Sequence, residues 1–234
     1  MAPQDTLIAS NLADVRERIA QAAARVGRAI EDITLVAVSK TFPPAAIRSA
    51  YELGLRHFGE NRVQERESKQ AAVADLDATW HLIGHLQSNK ARRAANLFNR
   101  VDSVDSVALA QKLDAAAASE TKRLKILIEV HLGGEETKSG VPEAGLPALA
   151  ESIAQLQNLE LLGLMTIPLY FDEPEQVRPY FRRLRELRDQ IGALTSPLTV
   201  LSMGMSHDFE IAVEEGATEI RVGTALFGER GKKV

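Results

Sequence analysis

A single lysine stands where a predicted buried strand ends. Lys40 follows the apolar run 35–39 and precedes Thr41, Phe42 and two prolines. Short β-branched runs are typical of parallel strands that are covered on both faces, so the stem of this lysine is desolvated while its amine reaches the strand end. Desolvation lowers the pKa of an amine and exposes the neutral, nucleophilic form. The placement suits a lysine that forms a Schiff base, although most lysines at strand ends are solvated.

The composition describes an ordinary globular protein. Its 234 residues approach the roughly 250 that are typical of a (β/α)8 barrel. The absence of cysteine excludes disulfides, thiolate metal sites and cysteine nucleophiles. The formal net charge of -4 lacks the basic excess of a nucleic-acid binder, and the sequence shows neither a signal peptide nor an apolar run long enough to span a membrane. We therefore expect one cytoplasmic domain over residues 1–234, with no nucleic-acid or membrane partner.

Strand and helix signals alternate along the chain. Strands are predicted at residues 33–39, 56–59, 80–84, 100–103, 124–130, 159–167, 198–202 and 219–222. Helices are predicted at 44–53, 62–73, 89–98, 106–119, 142–155, 175–194 and 207–215, after a first helix at 5–26. Such alternation implies an α/β fold of parallel strands with right-handed crossovers, and eight units close most naturally into a TIM-like barrel. A doubly wound open sheet is the alternative.

Two glycine-containing segments follow the last two predicted strands. They are residues 202–206 (SMGMS) and residues 221–224 (RVGT). Barrels often bind phosphate at this place, because loops there meet a helix N-terminus whose free N–H groups favour an anion. Glycine lets the backbone approach closely, and serine and threonine add hydroxyl donors. The segments predict a phosphate site, although the same residues also form ordinary turns and N-caps.

The three chemical features together predict one ligand. The amine of Lys40, the phosphate donors of the two segments and the guanidinium of Arg221 match an aldehyde, a phosphate and a ring nitrogen. Pyridoxal 5'-phosphate (PLP) carries all three groups. An arginine donates to the pyridine nitrogen without protonating it, so the ring becomes a weaker electron sink. This suits holding the cofactor better than transamination. Alternatively, Arg221 forms an ion pair with Glu219 or Glu229.

Seven segments resemble those of the pyridoxal phosphate homeostasis protein family, whose members are stand-alone barrels similar to the N-terminal domain of alanine racemase. They are LVAVSK, HFGENRVQE, WHLIGHLQSNK, ETKSG, GLMTI, LSMGMS and RVGTALFG, and they span residues 35–228. The resemblance implies that Lys40 carries PLP as an internal aldimine and that Arg221 faces the pyridine nitrogen. It implies a role in vitamin B6 and amino-acid homeostasis, with no established turnover. The residues that it places around the phosphate are Ser202, Gly204, Ser206, Gly223 and Thr224.

Other residues are candidates for the same site. Asn61 and His81 follow or occupy the second and third strands, where they reach the ring or its 3'-oxygen, although His81 also suits a core position. Met165 and Met205 are assigned to the cofactor site as well, although a methionine in an apolar strand is more often core. Lys138, in the loop 131–140, binds cofactor transiently, gates the pocket or is simply a solvated charge. The chain departs from the family at position 131, where it has histidine in place of the usual asparagine.

Three functional classes fit these features. The favoured class is a protein that holds PLP, buffers it and passes it to apo-enzymes. A PLP-dependent amino-acid racemase would need acid/base groups on both faces of the substrate, and only Lys40 is a good candidate. A Schiff-base aldolase would use Lys40 on a sugar phosphate without any cofactor. No metal site is expected, and a monomer is the default because no helix offers a clear self-complementary patch.

Overall fold

A computed structural model describes residues 3–133 and 139–228 of the chain. The strands are β1 (Thr34–Val38), β2 (His57–Glu60), β3 (Thr79–Leu82), β4 (Arg100–Val104), β5 (Leu124–His131), β6 (Val141–Pro142), β7 (Leu159–Met165), β8 (Val200–Ser202) and β9 (Glu219–Val222). All paired strands are parallel, and β1-β2-β3-β4-β5-β7-β8-β9 close into a ring through the β1–β9 and β4–β5 pairings. The predicted eight-stranded α/β barrel is confirmed. The two-residue β6 pairs with β5 alone and is too short to leave a sequence pattern.

The helices follow the predicted alternation with shorter bounds. They are α1 (Pro3–Arg25), α2 (Pro44–Glu52), α3 (Val63–Lys69), α4 (Ala91–Leu97), α5 (Val107–Ser119), α6 (Leu146–Ala154), α7 (Arg178–Leu194), α8 (Phe209–Glu214) and α9 (Thr224–Phe227). Short 3-10 turns occupy the ends of several predicted helices, because the first and last turns lack partners for the regular hydrogen bonds. None of the helices in residues 3–133 and 139–228 is both long and apolar enough to cross a membrane.

The first helix packs against the helices that precede and follow the last strand, β9. Ile8, Leu12, Val15 and Ile19 recur at helical spacing on α1 and are buried, which gives the apolar stripe of a helix that faces a core. This stripe packs against α2, α8 and α9. Asn11 adds a hydrogen bond of 3.0 Å from Nδ2 to the carbonyl oxygen of Leu226 in α9. The extra N-terminal helix therefore fixes the short helix that follows β9.

Candidate cofactor-binding site

The first strand delivers Lys40 to the C-terminal end of the barrel. Just beyond β1, the N–H of Ser39 donates to the Gly59 carbonyl oxygen (2.9 Å), and the N–H of Phe42 donates to the Ser39 carbonyl oxygen (3.1 Å). The chain therefore turns within residues 39–42. Lys40 is half-buried, and Thr41 has φ = 67°, a left-handed conformation that costs a non-glycine residue about 1–2 kcal/mol. A strained turn holds the lysine at the rim.

The two glycine segments meet at the same end of the barrel. The N–H of Arg221 donates to the Gly204 carbonyl oxygen (3.0 Å), and the N–H of Gly223 donates to Ser206 Oγ (3.3 Å). Gly223 also lies against the end of β1. A Cβ added there would be 3.4 Å from Val38 Cβ and 3.5 Å from the Val38 carbonyl oxygen. The segments 202–206 and 223–224 therefore lie together at the end of β1, next to Val38. Lys40 follows Val38 by two residues.

The glycine segments are shaped to receive an anion. Gly204 has φ = 90°, and a Cβ there would lie 2.5 Å from Ala212 Cβ, so only glycine fits. Ser206 Oγ accepts a further N–H, from Ala225 (3.2 Å). Thr224 is exposed and begins α9, and its N–H donates to no atom of the described residues. This N–H and the Thr224 hydroxyl are available to a phosphate, as helix N-termini commonly are.

In the segment 202–206, one backbone amide already donates to an acceptor within the protein. The N–H of Met205 donates to Asp208 Oδ1 (2.6 Å), and Asp208 is buried. Burial raises the pKa of Asp208, and the hydrogen bond from Met205 opposes this shift. Asp208 therefore stabilises the turn that precedes α8, which begins at Phe209 and not at residue 207 as predicted.

Arg221 reaches from β9 into the barrel. It is 3% exposed, and its Nη1 and Nη2 donate to Ser202 Oγ and to the Thr166 carbonyl oxygen, both at 2.8 Å. Burial lowers the pKa of Arg221, while the carboxylates of Glu219, Asp102, Glu129 and Asp208 oppose that shift.

The hydroxyl of Ser202 is held inside the barrel by this arginine. Met165, on β7, pairs in register with Ser202 and is fully buried. Both residues therefore flank Arg221 beneath the rim. Both residues thus lie at the ends of β7 and β8, just before the segment 203–206 at the rim.

His81 belongs to a buried polar network. It is 1% exposed, its Nε2 lies 3.0 Å from His57 Nδ1, and its Nδ1 lies 3.4 Å from Asp102 Oδ2. Arg100 donates to Asp102 Oδ1 (2.6 Å) and to Glu219 Oε1 (2.5 Å). Burial alone would raise the pKa of Asp102, but Arg100 and His81 hold that pKa well below its usual range.

This network bears on a cluster of potential metal ligands and on the alternative ion pair of Arg221. His81, Asp102 and Glu219 have potential ligand atoms within 4.8 Å of one another, but the guanidinium of Arg100 already lies between the two carboxylates. Glu219 thus has Arg100 as its ion-pair partner at 2.5 Å, which leaves Arg221 to donate elsewhere. Glu229 lies outside the described residues.

Two further candidates and one missed residue complete the description. Asn61 is half-buried after β2, and a Cβ on Gly84 would lie 2.4 Å from the carbonyl oxygen of Asn61. The loops after β2 and β3 therefore pack tightly.

Glu129 was not predicted. It is 3% exposed, Oε1 accepts from Ser139 Oγ (3.0 Å), and burial raises its pKa. Its only sequence signal is an acid within an apolar strand. Lys138 lies outside the described residues.

Comparisons with known proteins agree with this geometry. The family model described as alanine racemase, N-terminal domain, matches residues 10–231. A relative from Aquifex aeolicus (strain VF5), named pyridoxal phosphate homeostasis protein, is 50% identical over 220 residues, covering 94% of this chain and 96% of the relative. A protein of the same name from Pseudomonas aeruginosa is 48% identical over 223 residues, covering 95% and 96%. The structure of PipY from Synechococcus elongatus PCC7942, with PLP bound, has a TM-score of 0.84 at 44% identity, covering 94% of this chain and 100% of PipY. The chain therefore belongs to the alanine racemase N-terminal domain family and, within it, to the pyridoxal phosphate homeostasis proteins.

Proposed function

We propose that this protein holds PLP covalently on Lys40 and contributes to intracellular PLP and amino-acid homeostasis. The observation that carries the proposal is the convergence of the β1 end, which bears Lys40, with the glycine segments after β8 and β9. Gly223 makes the junction, because it follows Val222, which pairs with Ala37 of β1, and a Cβ added to it would lie 3.4 Å from Val38 Cβ. The names of the relatives and the PLP-bound structure of PipY support the same ligand.

Different residues of the proposed site bind different groups of PLP. The residues that we assign to the site are Lys40, Asn61, His81, Met165, Ser202, Gly204, Met205, Ser206, Arg221, Gly223 and Thr224. PLP supplies an aldehyde that condenses with a primary amine and releases water. Lys40 provides that amine, and Thr224 with the glycine segments binds the phosphate. Arg221 donates to the ring nitrogen and, as a permanent cation, does not protonate it. Ser202 orients Arg221 through its hydrogen bond. His81 contributes through the buried polar network that it forms with His57 and Asp102, which lies beneath the PLP ring in this proposal.

The surroundings of the tyrosines support a holding role over racemisation. A racemase needs an acid/base group on the face of the substrate opposite the lysine. Tyr51 lies beneath the guanidinium of Arg56 at 3.9 Å, and Tyr180 packs against Phe171. Tyr170 is 72% exposed. The Tyr170 ring stacks on His207, with ring centroids 5.0 Å apart. None of the three tyrosines is buried inside the barrel, which disfavours them as the second acid/base group.

The cofactor is released to PLP-dependent apo-enzymes in this proposal, and the protein acts as a monomer. Thr224 is exposed, which leaves the phosphate end of the ligand open to solvent and suits exchange. Transfer to a defined apo-enzyme at a rate above that of the same concentration of free PLP would support a carrier role. A rate equal to that control would restrict the role to buffering, and sedimentation of the loaded protein as a dimer would contradict the monomer.

The covalent site is tested by loading and trapping. Protein incubated with PLP should absorb visible light, lose that absorbance on borohydride treatment and carry the reduced cofactor on the peptide that contains Lys40. Lys40→Ala should abolish trapping on this peptide. Lys125→Ala is the matched control, because Lys125 is an exposed lysine near the start of β5, at the opposite end of the barrel. A colourless wild-type protein, or trapping that persists unchanged in Lys40→Ala, would contradict the proposal.

A further inference from the structure

A second lysine is buried directly behind the turn that carries Lys40. Lys69 is the last residue of α3 and is 6% exposed. Its Nζ donates to the Ser39 carbonyl oxygen (2.8 Å) and to Glu60 Oε1 (2.7 Å). Lysine is almost never buried to this degree without a partner. The ammonium group is therefore committed to these two contacts.

The Ser39 carbonyl oxygen is the acceptor that closes the turn. It receives the N–H of Phe42 at 3.1 Å and the Lys69 ammonium from outside the turn. Lys40 and Thr41 are the two central residues of this turn, between Ser39 and Phe42. Thr41 adopts φ = 67°, a conformation that β-branched residues rarely adopt and that persists only where surrounding contacts hold it. The charge-assisted bond from Lys69 is such a contact.

The ammonium group is itself fixed by a buried acid. Glu60, at the end of β2, is fully buried, and its Oε1 also accepts from Ser39 Oγ (2.8 Å). Burial raises the pKa of Glu60, and the charge of Lys69 opposes this shift. The ends of β1, β2 and α3 are thus joined through three polar groups. Movement of Lys69 away from Ser39 would also weaken its ion pair with Glu60, so the contact to the turn is rigid.

We propose that Lys69 is a positioning residue, which holds the Ser39 carbonyl and thereby fixes the turn that presents the Lys40 amine to PLP. This inference rests on the proposed role of Lys40. Lys69 itself has no contact with the cofactor in the proposal. It acts by keeping the backbone of residues 39–42 in one conformation, so that the backbone at Lys40 does not have to be ordered when the cofactor binds.

The test needs a variant that removes the clamp without leaving a buried charge. Lys69→Met with Glu60→Gln removes both charges, and the glutamine can still accept from Ser39 Oγ. Arg66→Met is the matched control. Arg66 is a buried cation on the same helix, 7% exposed, and its guanidinium lies 4.1 Å from the centroid of the Trp80 ring. Within residues 3–133 and 139–228, Arg66 makes no hydrogen bond to the turn at residues 39–42. Arg66→Met also loses a buried cation that interacts with Glu60, so it reports the cost of removing a buried cation that does not bond to the turn.

Two measurements separate positioning from general stability. In cofactor-free protein, hydrogen exchange of the Phe42 amide should be at least about tenfold faster in the double variant than in wild type or Arg66→Met, because one charge-assisted bond holds its acceptor. The PLP dissociation constant should rise at least about tenfold in the double variant. Urea midpoints of the two variants, from circular dichroism, show whether their stabilities match.

The outcomes decide between the two roles. Faster Phe42 exchange together with weaker PLP binding, at a stability similar to that of Arg66→Met, would support positioning. Wild-type exchange, or faster exchange with unchanged PLP affinity, would overturn it. Failure of the wild-type protein to trap PLP on Lys40 would instead refute the proposed function. In that case the positioning inference would fall with it, whatever the Phe42 exchange shows about the turn itself.

Discussion

Replacement of Arg100 by methionine should destabilise the barrel strongly. Arg100 is the cation between Asp102 and Glu219, and all three side chains are buried. Methionine keeps an unbranched apolar stem but is shorter and has no donor, which leaves two carboxylates in the barrel without their cation. Removing one partner of a buried ion pair costs about 3–5 kcal/mol. This is a large part of the total stability of a domain, which is about 5–15 kcal/mol.

The control is an arginine whose ion pairs lie at the surface. The side chain of Arg183 is 40% exposed and bridges Glu143 and Glu186, so Arg183→Met should cost less than about 1 kcal/mol. Urea unfolding of cofactor-free protein, followed by the fluorescence of the single tryptophan, gives both values. Melting temperatures provide a second measure, with a loss of about 6–20 °C expected for Arg100→Met. Equal destabilisation by the two substitutions would refute the assignment of Arg100 as the centre of the network.

The pH dependence of the difference gives an independent check. In the wild type, Arg100 and His81 hold the pKa of Asp102 well below its usual range against the effect of burial. A carboxylate with a lowered pKa contributes stability above its unfolded pKa of about 3.9, and this contribution is lost as the pH falls through the folded value. In Arg100→Met, only His81 still opposes the effect of burial on Asp102, so the pKa of this carboxyl rises above its wild-type position. The difference in stability should therefore narrow from pH 7 to pH 5, and a constant difference would contradict the electrostatic explanation.

Three further predictions concern the rim and the barrel interior. Thr224→Ala should raise the PLP dissociation constant about tenfold, through loss of one charge-assisted bond, and an unchanged value in a spectral titration would remove Thr224 from the site. Gly204→Ala should lower the free energy of unfolding by about 2–5 kcal/mol, because backbone strain adds to a 2.5 Å contact with Ala212 and to overpacking. The control Gly27→Ala, where φ is 69° and nothing lies within 4 Å, should show the strain alone. Glu129→Gln should stabilise the cofactor-free protein at pH 7 but not at pH 4, because burial raises the pKa of Glu129 and stability is lost as the pH rises through that value. Urea unfolding at the two pH values checks this, and a gain that is equal at both would contradict it.

The sequence was sufficient for the architecture because its signals are local. Alternating strand and helix patterns identify eight β/α units, and the handedness of parallel crossovers leaves few ways to arrange them. The position of Lys40 at a strand end and of the glycine segments after the last strands followed from the same patterns. Their meeting at one rim is a consequence of the barrel, in which all strands end on the same side.

Side-chain orientation and partners required the tertiary structure. Ser202 was expected at the phosphate, and the barrel places its hydroxyl under Arg221. The sequence also allowed an ion pair between Arg221 and Glu219. In the structure Glu219 pairs with Arg100 instead, and these two residues are 119 positions apart in the chain. Spacing along one strand cannot show which neighbour reaches a carboxylate first. The extents of the strands also depended on pairing, since β7 ends at Met165, which pairs with Ser202, the last residue of β8.

The α/β barrel, the position of a lysine at the end of its first strand and the class of ligand could be predicted from the sequence, because each depends on residue types at local spacing. The tertiary structure decided how the lysine is held. Lys69 is an ordinary helix residue by its pattern, and its ammonium reaches the turn of Lys40 only because α3 packs behind β1 and β2. Burial makes that contact strong, and burial is a property of the folded chain.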